Sequence, residues 1–156
     1  MNQISSISEV QEAIAGVLSA NTFFSTHDVP ILVENSKDIE YQIKSSMTAL
    51  GIAATVATPS LTYGGDLHTE EQNNLSSTFP YWTVNSGSVV IVENPTLNRG
   101  KNNYATALDT ALQTALTLQQ IPNICDSSIV QTTQGGLVVV TVQFKTNLTF
   151  ALTPTS

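Results

Sequence analysis

From residue 31 to residue 58 the chain reads ILVEN, SKDIEYQIKSSMTALG and IAATVAT, three pieces with different periodicities. The first and last are short runs of aliphatic, small and β-branched residues, the composition of buried strands. In the middle, Ile39, Ile43, Met47 and Leu50 recur at helical spacing. Ser36 is placed to cap that helix, Asp38 lies where the helix dipole favours a negative charge, and Gly51 ends it. A β-α-β segment commits the chain to a layered fold, because a sheet and an amphipathic helix each need the other to bury their apolar faces.

The flanking sequence extends this plan. Ile4, Ile7, Val10, Ile14, Val17 and Leu18 predict an amphipathic helix over about residues 3–19, followed by a turn-rich link, NTFFSTHDVP, tied to the core by Phe23 and Phe24. Residues 59–80 hold paired Gly, Glu and Asn with little periodicity and predict an extended loop or arm. YWTV and then GSVVIVE resume strand character, and Pro95 closes the second. Tyr104, Leu108, Leu112 and Leu116, with Ala105, Ala107, Ala111 and Ala115 between them, predict a helix over about 103–119 that lies close against a sheet and ends at Ile121-Pro122. SSIVQTT and LVVVTVQFKTNLTFAL, separated by Gln134-Gly135-Gly136, predict a closing hairpin. The expected fold is α+β: one domain over residues 1–156, with a mainly antiparallel mixed sheet and helices packed on one face. The echo of ILVEN in VIVEN at 90–94 is read as a recurring strand end that delivers a Glu-Asn pair to a turn.

Chemistry is sparse. Charged residues are 11% of the chain, with five Lys and Arg against twelve Asp and Glu, a formal charge of −7. Ser and Thr make up about a quarter, so the surface is polar through hydroxyls and inexpensive to desolvate. An acidic chain does not grip a nucleic-acid backbone, which requires clustered cations. No run of 18 apolar residues suggests a membrane helix, and no basic, apolar leader is expected at MNQISSISEV. Gly100-Lys101 is followed by Asn102 and lacks the glycines of a phosphate loop. His27 and His68 sit in separate loops; Asp66, His68, Glu70 and Glu71 read as a solvated acidic stretch before a metal site. Cys125 reads as a small buried residue. Glu34 and Glu93 both end strands and offer the one carboxylate pair to weigh, against the simpler reading that each bonds backbone amides near its turn. The expectation is a structural protein and not an enzyme, without catalytic residues, cofactor or metal.

One turn stands out, VIVENPTLNRG at residues 90–100. Together with VLSANTFF, the PILVEN-KDIEYQIKSSMTALG-IAATVATPS unit, ATALDTALQTAL and LVVVTVQF, it resembles the tail terminator (tail completion) proteins of tailed bacteriophages and prophages. The resemblance spans about residues 3–145, and its most specific motif is ENPTLNRG. It implies an α/β subunit that assembles into a ring, commonly a hexamer, at the head-proximal end of the tail. Such a ring ends tube or sheath polymerisation, joins the tail to neck or connector proteins, and lets genomic DNA pass through its lumen; the implied location is the virion. The contact residues it suggests are Glu93, Asn94, Pro95, Asn98, Arg99 and Lys101. Pro95 would set the turn, Asn94 and Asn98 would bond its backbone, and Arg99 would pair with Glu93 in the same chain or with an acidic group of the adjacent subunit. A head-tail connector or neck adaptor is the alternative, and a small enzyme a more distant one.

Overall fold

The computed structural model describes residues 3–4, 6–68 and 78–151. Its elements in order are β1 (Gln3–Ile4), α1 (Ile7–Ala20), α2 (Thr22–Thr26), β2 (Ile31–Val33), α3 (Ile39–Ala49), β3 (Ile52–Val56), β4 (Ser60–His68), β5 (Thr78–Glu93), α4 (Pro95–Asn98), α5 (Ala107–Leu118), β6 (Ile124–Gln134) and β7 (Leu137–Ala151). Among the described residues the strands form one sheet, in which β7 and β5 run side by side along most of their length. β3 and then β2 continue it beyond β5, with β4 also on β5, while β6 and β1 both pair with β7. The β1–β7 and β2–β3 pairs are parallel and the others antiparallel. The fold is the expected α+β domain with a mixed sheet.

Period-two alternation decides which side chains enter the core. Ile52, Ala54 and Val56 of β3, Val89 and Ile91 of β5, and Val140, Val142 and Phe144 of β7 are buried in one cluster. Register places them opposite one another, Ala54 by Ile91 and Ile91 by Val140. α1 contributes Val10, Ile14 and Leu18 to this cluster, and α5 contributes Ala107, Ala111, Ala115 and Leu118. Phe24 is buried with them and meets Phe23 edge to face at 5.7 Å between ring centres, as the link was expected to do. α3 packs over β2 and β3, turning one half-buried side inward, and adds no residue to the cluster.

Five expectations need correction. Ser36 does not cap the second helix: α3 starts at Ile39 with Asp38 at the N-cap position and no side-chain cap, and Ser36 accepts from the Ile39 amide through its backbone carbonyl only. Ile4 lies in β1 beside Phe150 rather than on the first helix, because the Ser6 side chain caps the Glu9 amide and starts α1 only at Ile7. Residues 59–80 are largely a strand arm: β4 pairs with β5 from Ser60–Ser86 to His68–Thr78, and residues 69–77 lie outside the described set. Its periodicity was obscured by Gly64-Gly65, where the register shifts, and by Pro80, which reads as a strand breaker. YWTV and GSVVIVE are not separate strands but parts of the continuous β5, whose pairing with β7 slips between Val84 and Ser86. Cys125 is exposed, since Ile124 beside it points inward.

Two glycine positions matter to the sheet. Gly135 and Gly136, both at positive φ, form the two-residue turn between β6 and β7 that the sequence announced. Gly87 lies across from Phe144, and a Cβ there would come within 2.5 Å of the phenyl ring. Gly87→Ala is expected to destabilise the domain by about 1–3 kcal/mol through overpacking. Combining it with Phe144→Leu should recover part of that loss in urea unfolding, because the smaller side chain vacates the contact; an additive double variant would refute this account.

Candidate functional site

The turn after β5 is organised by one carboxylate. Glu93 ends a strand whose alternation points it into the core, and it is completely shielded from solvent. Its Oε1 accepts a hydrogen bond from the Ala107 amide at 3.0 Å. Its Oε2 accepts from Asn98 Nδ2 at 2.6 Å and from Arg99 Nε at 3.2 Å. Ala107 opens α5, so the carboxylate also sits at the positive end of that helix. The same helix start is held by a capping box between Thr106 and Asp109.

Asn94 and Pro95 shape the turn as expected, whereas the Asn98 side chain bonds the Glu93 carboxylate and the start of α5 and not the backbone of the turn. Asn94 caps α4, its Oδ1 accepting from the Thr96 amide at 3.2 Å, and Pro95 occupies the start of that short helix, where its missing N–H costs nothing. Asn98 bonds the Glu93 carboxylate and the Ala105 carbonyl, 2.9 Å away, so it ties the turn to the start of α5. Arg99 makes the intramolecular pair; its side chain is 49% exposed, and the bond and charge of Glu93 hold its guanidinium above its ordinary pKa. Lys101 leaves this group and donates to the His27 carbonyl at 3.3 Å. Burial lowers the pKa of its ammonium against the opposing pull of Asp28 and Glu93. His27 Nδ1 in turn meets the Asn103 carbonyl at 2.8 Å, and Asn103 Nδ2 donates to Thr26 O and Asp28 Oδ2. The network therefore staples β5, α4, α5 and the end of α2 together.

The Glu93 carboxylate is committed to holding the fold. Every Glu93 oxygen is engaged, which leaves no lone carboxylate for proton transfer. Glu34 accepts from the Thr58 amide at 2.9 Å beyond the Val56 end of β3, whereas Glu93 is paired with Ile52 at the other end. The length of β3 alone separates them by about 13 Å, beyond the reach of a paired-carboxylate mechanism. Among the described residues no three His, Cys, Asp or Glu are grouped to hold a metal. The stretch around His68, with Asp66, Glu70 and Glu71, lies outside the residues whose side chains are described. A cleft of about 330 Å³ is walled by Ser86, Ser88, Asp126, Ser128 and Lys145, and no hydrogen bond between one of these serines and a basic side chain occurs among the described residues. No described helix is long and apolar enough to cross a membrane.

The feature that sequence reasoning missed lies on α5. The Ala row, with Thr110, Thr114 and Thr117, faces inward, and each Thr hydroxyl donates to the carbonyl four residues back. The Leu row is turned outward: Leu108 is 50% exposed, Leu112 51% and Leu116 47%, with Tyr104 at 45% just before them. The two rows are offset by one residue, about 100° around the helix, so only one can meet the sheet. Small Ala side chains allow the closer approach of α5 to β5, β6 and β7. The signal was present in the spacing, but both rows satisfy the same helical period.

Compared with known proteins, the chain matches no protein-family model and no curated sequence.

Proposed function

We propose that this chain is a structural subunit of a tailed-phage virion, a tail terminator that closes into a ring at the head-proximal end of the tail and ends polymerisation of the tube or sheath. The observation that carries the reading is the outward Leu row of α5: of the four exposed residues of that helix, three are Leu and one is Asp109. An isolated soluble domain places charged and polar residues there, whereas a contiguous apolar patch marks a contact surface. The low density of charge suits a subunit covered by identical copies on its flanks and by tube and neck proteins above and below. The net charge of −7 suits a lumen through which DNA passes without adhering. The choice of a terminator among virion proteins rests on the sequence resemblance centred on Glu93-Asn94-Pro95-Thr96-Leu97-Asn98-Arg99-Gly100.

A neck adaptor at the same junction is the second reading. It is favoured by the β4–β5 arm, which is long for a minimal terminator and suited to reaching an adjoining layer.

Light scattering over a range of concentrations, followed by negative-stain imaging, is expected to show a closed ring whose mass is an integral multiple of 16.7 kDa. A ring that, added to growing tube or sheath protein, fails to limit its length would move the assignment from terminator to adaptor. A chain that remains monomeric at every concentration would remove the self-assembling reading.

A further inference from the structure

Resting on that ring reading, we infer which surface of the next copy receives the Leu row. α3 carries, on its solvent side, a groove of about 410 Å³ lined by Tyr41, Lys44, Ser45, Thr48 and Ala49. These residues form two rows at four-residue spacing, Tyr41-Ser45-Ala49 and Lys44-Thr48, with the groove between them. Leu108, Leu112 and Leu116 form a ridge at the same spacing. The longer groove row and the ridge each extend over eight helical steps, about 12 Å, so they match in length. A ridge of this type entering a groove of this type is the commonest helix packing, with axes crossing at about −50°.

Position in the fold supports the match. α5 lies over β5, β6 and β7, whereas α3 lies over β2 and β3 at the other end of the strand order. Ridge and groove are thus different patches on opposite flanks. This is the requirement for a head-to-tail contact that repeats around a ring, in contrast to a twofold dimer, where one patch meets itself.

Charge and area agree. Lys44 stands on one wall of the groove, and the single ion pair among the described residues, Arg99–Glu93, does not involve it. Asp109 is the only exposed charged residue of α5 and adjoins the Leu ridge, which brings an acidic group to the basic wall. At about half exposure, each Leu and Tyr104 leaves on the order of 100 Å² in water, so the row presents roughly 400 Å² of apolar surface. That is about half of what one partner contributes to a specific interface, the share expected of an apolar centre with a polar rim. Tyr41, 73% exposed at the groove, supplies a large aromatic anchor.

Two surface variants test the inference. Leu112→Glu disables the ridge and Ser45→Glu disables the groove; both positions are exposed, so thermal unfolding should stay at the wild-type midpoint. By light scattering, each variant alone is expected to lose the ring and run at the mass of one chain. Mixed in equal amounts, the Leu112→Glu chain retains a sound groove and the Ser45→Glu chain a sound ridge, so together they should form a dimer that cannot close. Variants that keep wild-type rings would overturn the ridge-groove contact and leave the ring reading standing. Variants that are monomeric alone and still monomeric when mixed would show that the two patches do not meet each other. A monomeric wild-type chain would remove the ring reading and this contact with it.

Discussion

Glu93→Ala is expected to lower the unfolding free energy by about 3–5 kcal/mol, a large share of the stability of a domain of this size. The substitution removes the acceptor shared by three donors, the Ala107 amide, one N–H of Asn98 Nδ2 and Arg99 Nε. Two of these lie in fully buried residues, where water cannot replace the lost acceptor. It also leaves a cavity at the junction of β5 and α5. Glu93→Gln keeps the volume but places an amide where only acceptors fit, so its cost should be smaller than that of Ala and still measurable. Arg99→Ala should cost least, because Asn98 and Ala107 continue to hold the carboxylate and the Arg side chain is half in water. Urea unfolding of the three variants checks the order. If Arg99→Ala proved as damaging as Glu93→Ala, the carboxylate would depend on the ion pair and not on the buried amide donors.

The second large effect concerns Gly51. It follows α3 with φ of +74°, a left-handed conformation that L side chains avoid at a cost of about 1–2 kcal/mol. A Cβ there would lie 2.6 Å from the Asn98 amide nitrogen and 2.8 Å from Leu97 Cβ. The Gly51 carbonyl also accepts from the Asn94 amide at 2.7 Å. Gly51→Ala therefore pushes directly on α4 and through it on the Glu93 network, and its expected cost is about 3 kcal/mol or more. Gly135→Ala separates the two causes. Gly135 has φ of +57° and nothing within 4 Å of a built Cβ, so that substitution incurs the backbone strain alone. Equal losses at the two sites would show that the approach of α4 contributes nothing.

Much of this was legible in the sequence, and the parts that were not share a cause. The α3 spacing and its terminal Gly51, the glycine turn at 135–136 and the burial of the β3 and β5 apolar runs all follow from local periodicity and backbone stereochemistry. These act within a few residues and leave a readable mark. The turn Glu93–Arg99 was recognisable as a unit through Pro95 and its flanking Asn residues. That Glu93 faces a helix start fourteen residues later was not, because the partner is an anonymous backbone amide. β4 went unrecognised since its hydrogen bonds come from a distant strand and its own glycines disturb the alternation.

The amino-acid sequence by itself determined the fold class, an Ala-rich helix with Leu at every fourth position, which the structure confines to Ala107–Leu118, and a composition poor in charge. Only the tertiary structure decided which of the two rows of α5 would be buried. A helix face is chosen by the shape of the sheet it must approach, and that shape is assembled from β5, β6 and β7, strands brought together from separate parts of the chain. Close packing on β5, β6 and β7 took the Ala and Thr side, and the Leu side was left to solvent.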